Sequence, residues 1–219
     1  MITLDKKKVL LLVPPILSVS MICIFRLATE RYGRTIGFML GFCVYWFAFC
    51  LPTCLYIIGS TEELKRIYQG HVNNFDIKRL IYHIAAFIPC IATFCIIFYG
   101  LFLKVEFHVL GIALLFALVN GTIEELFWRG NYLKIFGNNF TLAYIYPSMF
   151  FGAWHIGLFF AKGIIYHGGL PALVGGALFM GLLWGIVSYR TRSIGTVTLA
   201  HIVTNFFAFT GLIYDNWYS

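Results

Sequence analysis

The chain has 219 residues, of which 60% are hydrophobic and only 11% charged. Soluble domains carry about 25% charged residues, so this composition excludes a single water-facing core and points to an all-α, polytopic membrane bundle. The net charge of +7 does not indicate nucleic-acid binding, because the basic residues lie in short clusters between apolar runs, where loop charge sets membrane topology.

A helix crosses a bilayer with about 20 apolar residues, and on that rule about seven spans are predicted, with roughly six to eight as the range. They fall at roughly 9–28, 36–58, 80–103, 107–129, 141–161, 170–189 and 193–213. The first follows Lys6, Lys7 and Lys8 like a signal peptide. Its apolar run is about 17 residues long and lacks a small-residue cleavage site, so it reads as an uncleaved span interrupted by Pro14, Pro15 and Arg26. The polar insert 59–79 has room for a short surface helix, with Glu62-Glu63 just after Ser60 and Thr61 as a solvated helix start.

The cysteines, Cys23, Cys43, Cys50, Cys54, Cys90 and Cys95, lie in apolar runs without zinc-site spacing and read as small buried hydrophobes. Gly175, Gly176, Gly181 and Gly185 suggest close helix packing. His71 and His167 fall in loops, and His83 and His108 in or near spans; none belongs to a motif. With the N-terminus inside, the inner segments hold Lys6, Lys7, Lys8, Lys65, Arg66, Lys78, Arg79, Lys134, Arg190 and Arg192, against Arg26, Arg31, Arg34, Lys104 and Lys162 outside. That asymmetry places the N-terminus in the cytoplasm and, with seven spans, the C-terminus outside.

The stretch NGTIEELFWRG, Asn120 to Gly130, puts two carboxylates and a guanidinium into the fourth span. A charge at mid-span costs about 2.5–3.5 kcal/mol on insertion scales, so such residues demand a partner or a wet cavity. Glu125 and Arg129 are four apart and share a helix face, a structural pair. Glu124 is turned about 100° away and is expected to have no partner on its own helix. His155 lies in the fifth span with Phe151 four residues before it; His201 and Asn205 are four apart in the last. At 1.5 Å per residue, Glu124, His155 and His201 fall about 9, 13 and 12 Å from one side of the bilayer. A carboxylate, two imidazoles and a carboxamide at one level contain the parts for amide hydrolysis by an activated water. The same groups are also metal-ligand types. Neither a G-x-S-x-G elbow nor H-E-x-x-H occurs.

These residues resemble the CAAX protease and bacteriocin-processing (Abi) family of intramembrane proteases. Its motifs E-E-x-x-x-R, F-x-x-x-H and H-x-x-x-N/D read here as Glu124-Glu125…Arg129, Phe151…His155 and His201…Asn205, in order and on separate spans. The resemblance covers roughly 105–213. It implies a catalytic core at 105–219 preceded by accessory helices at 1–104, and a site opening to the cytoplasm. It also implies Glu124 as general base, His155 positioning water, His201 and Asn205 stabilising an oxyanion, and Glu125, Arg129 and Phe151 in support. The family has been described both as metal-free and as metal-dependent; the metal-free reading is preferred here, and a zinc ion would otherwise take Glu124, His155 and His201. The substrate is expected to be a membrane-associated or lipidated peptide, as in bacteriocin maturation, peptide signalling or CAAX-type processing, in a bacterial cell membrane.

Two other classes compete with the protease reading. A non-catalytic bacteriocin-immunity protein would bind rather than cleave. A small transporter or proton relay also carries acids and histidines in its spans, but no inverted repeat or pair of broken helices supports it.

Overall fold

The computed structural model describes residues 4–70 and 77–218; His71 lies outside them. Every regular element among the described residues is helical. The long helices are α1 (Leu4–Tyr32), α2 (Arg34–Ile58), α4 (Arg79–Phe98), α5 (Phe107–Phe136), α7 (Gly169–Thr191) and α8 (Gly195–Tyr218). These six are long and apolar enough to cross a membrane. Their outer faces present residues such as Leu12, Val19, Leu55, Ile91 and Ile96, far more exposed apolar surface than a monomer in water tolerates.

The fifth expected span is α6, which begins with a π turn at Thr141–Ile145 and continues as an α-helix over Tyr146–Phe159. It is less apolar than the other six, since Tyr144, Tyr146, Ser148, Trp154 and His155 replace aliphatic residues along it. It still runs from one end of the bundle to the other. Asn139, just before it, lines the same cavity as Lys7 and Lys8; Lys162, just after it, pairs with Glu30 at 2.6 Å near the far end of α1. Lys134 pairs with Glu63, while Arg26 and Lys162 share Glu30 at the opposite end.

The polar insert forms α3 (Thr61–Gln69), with the Ser60 hydroxyl accepting from the Glu63 N–H at 3.3 Å as its N-terminal cap. The Lys134 ammonium beside Glu63 holds that carboxyl below its usual range.

Pro14 and Pro15 do not break α1. Each lacks the N–H that would bond the carbonyl four residues back, which orphans Leu10 and Leu11. Both carbonyls are satisfied from elsewhere: Tyr132 of α5 donates to Leu10 O at 2.6 Å and Tyr146 of α6 to Leu11 O at 2.5 Å. This is the membrane rule that freed backbone groups find neighbours, and it staples α1 to the core. Tyr132→Phe is expected to destabilise the protein by about 1–3 kcal/mol, the cost of a buried unpaired carbonyl. Unfolding in detergent checks this, and an unchanged midpoint would contradict it.

Helix α8 packs along α5, α6 lies between α1 and α7, and α1 packs on α2. A Cβ on Gly121 of α5 would meet the backbone nitrogen of Ile202 at 3.0 Å, so only glycine permits the approach that brings α5 against α8. The glycine expectation for α7 holds in part. Gly181 and Gly185 abut Ser148 and Tyr144 of α6, whereas Gly175 and Gly176 meet nothing within 4 Å. At 100° per residue these two fall off the stripe that faces α6. The cysteine expectation is corrected similarly: Cys50, Cys54 and Cys90 are buried, but Cys23, Cys43 and Cys95 are on the outer surface, because their helices bury a single face.

Candidate active site

Glu124 and Glu125 end the regular α part of α5, and Arg129 lies in the π turn Leu126–Gly130 that follows. Such turns are often found at functional sites. Both carboxylates are fully buried and Arg129 is 2% exposed. Arg129 Nη1 donates to Glu125 Oε1 at 2.8 Å, as the four-residue spacing predicts. The guanidinium also lies over the Phe151 ring, its carbon 4.2 Å from the centroid, and 5.9 Å from that of Trp184.

His201 of α8 joins the two glutamates. Its Nδ1 is 2.8 Å from Glu125 Oε1, and its Nε2 is 3.3 Å from Glu124 Oε2. Two carboxylates thus face one guanidinium and one imidazole, so the buried acids have polar partners out of water. Trp184 packs against His201 with centroids 4.4 Å apart and the rings tilted by 32°. The indole is itself held, donating to Ala86 O at 2.9 Å where α4 breaks its helical pattern.

Glu124 does have a partner on its own helix, which corrects the sequence expectation. Asn120, four residues earlier, donates to Oε2 at 2.8 Å, while its own Oδ1 accepts from Trp46 Nε1 at 2.8 Å. The spacing of Asn120 and Glu124 is the same four-residue signal that identified Glu125 with Arg129, and it was legible. The other partner was not. Tyr45 of α2 donates its hydroxyl to Glu124 Oε1 at 2.5 Å and accepts from Trp128 Nε1 at 2.9 Å. Tyr45 stacks on Trp154 at 4.0 Å. The first 104 residues therefore reach the glutamate directly.

His155 Nδ1 is 2.7 Å from the carbonyl of Phe151. Its ring touches Phe151 at 5.1 Å between centroids, and the same phenyl lies 5.9 Å from the His201 ring. Phe151 is thus the common wall of Arg129, His155 and His201. Asn205 sits one helical turn beyond His201, and its Nδ2 is buried without a partner among the described residues. The structure brings Glu124, Glu125, Arg129 and His201 into direct contact. It joins His155 through Phe151 and leaves Asn205 as a free donor. His83 instead bonds Thr196 at 2.8 Å, His167 pairs with Asp215 and His108 with Glu106.

Among the described residues no group of three His, Cys, Asp or Glu side chains is arranged to hold a metal ion. His155 Nδ1 faces the carbonyl of Phe151 rather than Glu124 or His201. As placed, Glu124, His155 and His201 do not fit a divalent ion.

Three motifs in order now carry one buried carboxylate–imidazole cluster. Residues 105–207 match one family model, that of the type II CAAX prenyl endopeptidase Rce1-like proteins. The match spans all three motifs and agrees with the family suggested by them. No curated protein and no solved structure matches the chain. Together with six apolar helices, the Rce1-like match makes this an integral multi-pass membrane protein, and it supports intramembrane protease activity.

The Tyr45 hydroxyl is expected to position the Glu124 carboxylate. Tyr45→Phe removes a donor to the carboxylate and leaves Trp128 Nε1 unpaired. A loss of about 1.5 kcal/mol, the low end for a bond to a charged group, corresponds to kcat lower by about tenfold with KM retained. Steady-state proteolysis measures this, and an unchanged kcat would remove Tyr45 from the site.

Proposed function

We propose that the chain is an intramembrane endopeptidase in which Glu124 activates a water for attack on a peptide carbonyl. The carrying observation is that His201 bridges Glu124 and Glu125 while Arg129 holds Glu125. Fixing Nδ1 on one carboxylate orients the ring and aims Nε2 at the base and its neighbourhood. In the attack, the water oxygen bonds the carbonyl carbon and its proton goes to Glu124. Nε2–H of His201 and Nδ2 of Asn205 donate to the oxyanion. As the C–N bond breaks, Glu124 returns the proton to the leaving amine. His155, packed on the other side of Phe151, is assigned to orient the water from its Nε2 edge, since Nδ1 faces the Phe151 carbonyl. Glu125, Arg129 and Phe151 position the imidazole.

The substrate we infer is a membrane-associated or lipidated peptide, because the base is buried among apolar helices and a peptide reaches it through the bilayer. The grouping of Lys6, Lys134, Arg192 and their neighbours at one end supports a cytoplasmic N-terminus and a site opening on that side.

Cleavage of candidate lipidated peptides in reconstituted membranes tests the reading. Asn205→Ala is expected to lower kcat roughly 100- to 1,000-fold, the usual cost of one oxyanion donor. His155→Ala is expected to impair turnover as well. Full activity of both variants would overturn the assigned roles.

A further inference from the structure

At the end of the bundle that carries Lys6 and Lys134, a cavity of about 980 Å³ opens between α1, α3, the end of α5 and Arg192. Five basic side chains line it, Lys7, Lys8, Arg66, Lys134 and Arg192, against one carboxylate, Glu63. That carboxylate is already used: it takes Arg66 at 2.8 Å and Lys134 at 3.2 Å. Arg192 donates to the carbonyl of Gly137 and lies over the Tyr189 ring. Lys7 and Lys8 are exposed and have no ion pair among the described residues. The cavity therefore holds more positive charge than its own residues neutralise.

The walls are built rather than incidental. The Tyr132 and Tyr146 hydroxyls pin the adjoining turn of α1 to α5 and α6. Lys134 also donates to Ile58 O at 2.7 Å, fixing the floor against the end of α2. Leucines 4, 11 and 142 line the same space. Basic heads beside leucines, at the ends of spans and next to a surface helix, match the headgroup level of a bilayer, where an anionic phosphodiester meets the first methylenes of its chains.

We propose that this cavity binds the headgroup of an anionic phospholipid. Lys7 and Lys8 meet the phosphate, Arg192 and Lys134 supply the fixed positive wall, and the leucines receive the glycerol and upper acyl carbons. The site lies about 13–15 Å beyond Glu124 along α5, at 1.5 Å per residue for Leu133 and Lys134. It stands whether or not the chain is a protease.

Native mass spectrometry of the full chain in mild detergent tests this, with phosphatidylglycerol and phosphatidylcholine as probes. Wild type should retain phosphatidylglycerol in preference to phosphatidylcholine. Lys7→Gln with Lys8→Gln should weaken it about 30-fold, from roughly fivefold per lysine near a charged surface. Lys7→Arg with Lys8→Arg should bind like wild type. Lys65→Gln, an exposed change on α3 outside the cavity, should weaken it less than about twofold. A fivefold loss in Lys65→Gln would reduce the effect to diffuse surface charge and overturn the proposal. So would equal retention of phosphatidylcholine. Calorimetry with inorganic phosphate alone separates the sources: phosphate binding as tightly as the lipid would assign the cavity to a soluble anion and overturn the lipid reading.

Discussion

Glu124→Gln is expected to lower peptide hydrolysis by about 1,000-fold or more while the bundle remains folded. Proton transfer by a positioned carboxylate contributes roughly 100- to 10,000-fold, and a carboxamide cannot accept the proton. The substitution keeps the shape of the side chain. One oxygen still accepts from the Tyr45 hydroxyl, but the new NH₂ meets the Asn120 amide where a second oxygen had been. That mismatch costs about one hydrogen bond, roughly 1 kcal/mol, against about 4 kcal/mol in the barrier. Activity and unfolding must therefore be measured on the same preparation: the rate should collapse with only a modest change in stability. Cleavage at the wild-type rate would sink the mechanism. If the protein confers resistance to a bacteriocin and Glu124→Gln retains that resistance, binding rather than cleavage is its role.

The second large effect is on stability. Arg129→Met is expected to destabilise the protein by about 3–5 kcal/mol, because it strips the guanidinium from a buried carboxylate. Arg129 is 2% exposed, holds Glu125 Oε1 at 2.8 Å and lies over Phe151. Without it Glu125 keeps only His201, and the imidazole is drawn to one charge instead of being held between balanced pairs. Glu125→Gln in the Arg129→Met background should recover much of the loss, since it removes the orphaned charge. A double-mutant cycle on unfolding free energy reads this coupling. Additive losses in the double variant would show that the two residues do not act as a pair.

The contrast between these residues measures what can be read from a chain. Helix periodicity identified Glu125 with Arg129, because residues four apart meet on any α-helix. The same rule pairs Asn120 with Glu124, but there the signal is weaker, because a carboxamide in an apolar run resembles ordinary interhelical hydrogen bonding. Tyr45 and Trp46 carried no such signal. They are two aromatics in an aromatic-rich span, and their reach to residues 79 and 74 positions away depends on how α2 is rotated against α5.

The sequence by itself determined the helical class, the long apolar runs and the order of the three motifs. All of these follow from apolar run length and local spacing, which the bilayer and the 3.6-residue turn enforce without reference to distant contacts. Only the tertiary structure decided that His201 spans both glutamates and that tyrosines cap the carbonyls freed by Pro14 and Pro15. It likewise decided that Gly121 rather than Gly175 carries a close approach, and that the basic residues at one end enclose a cavity. Those outcomes depend on the rotation and separation of packed helices. Many residues of one chain fix these jointly, and no single span encodes them.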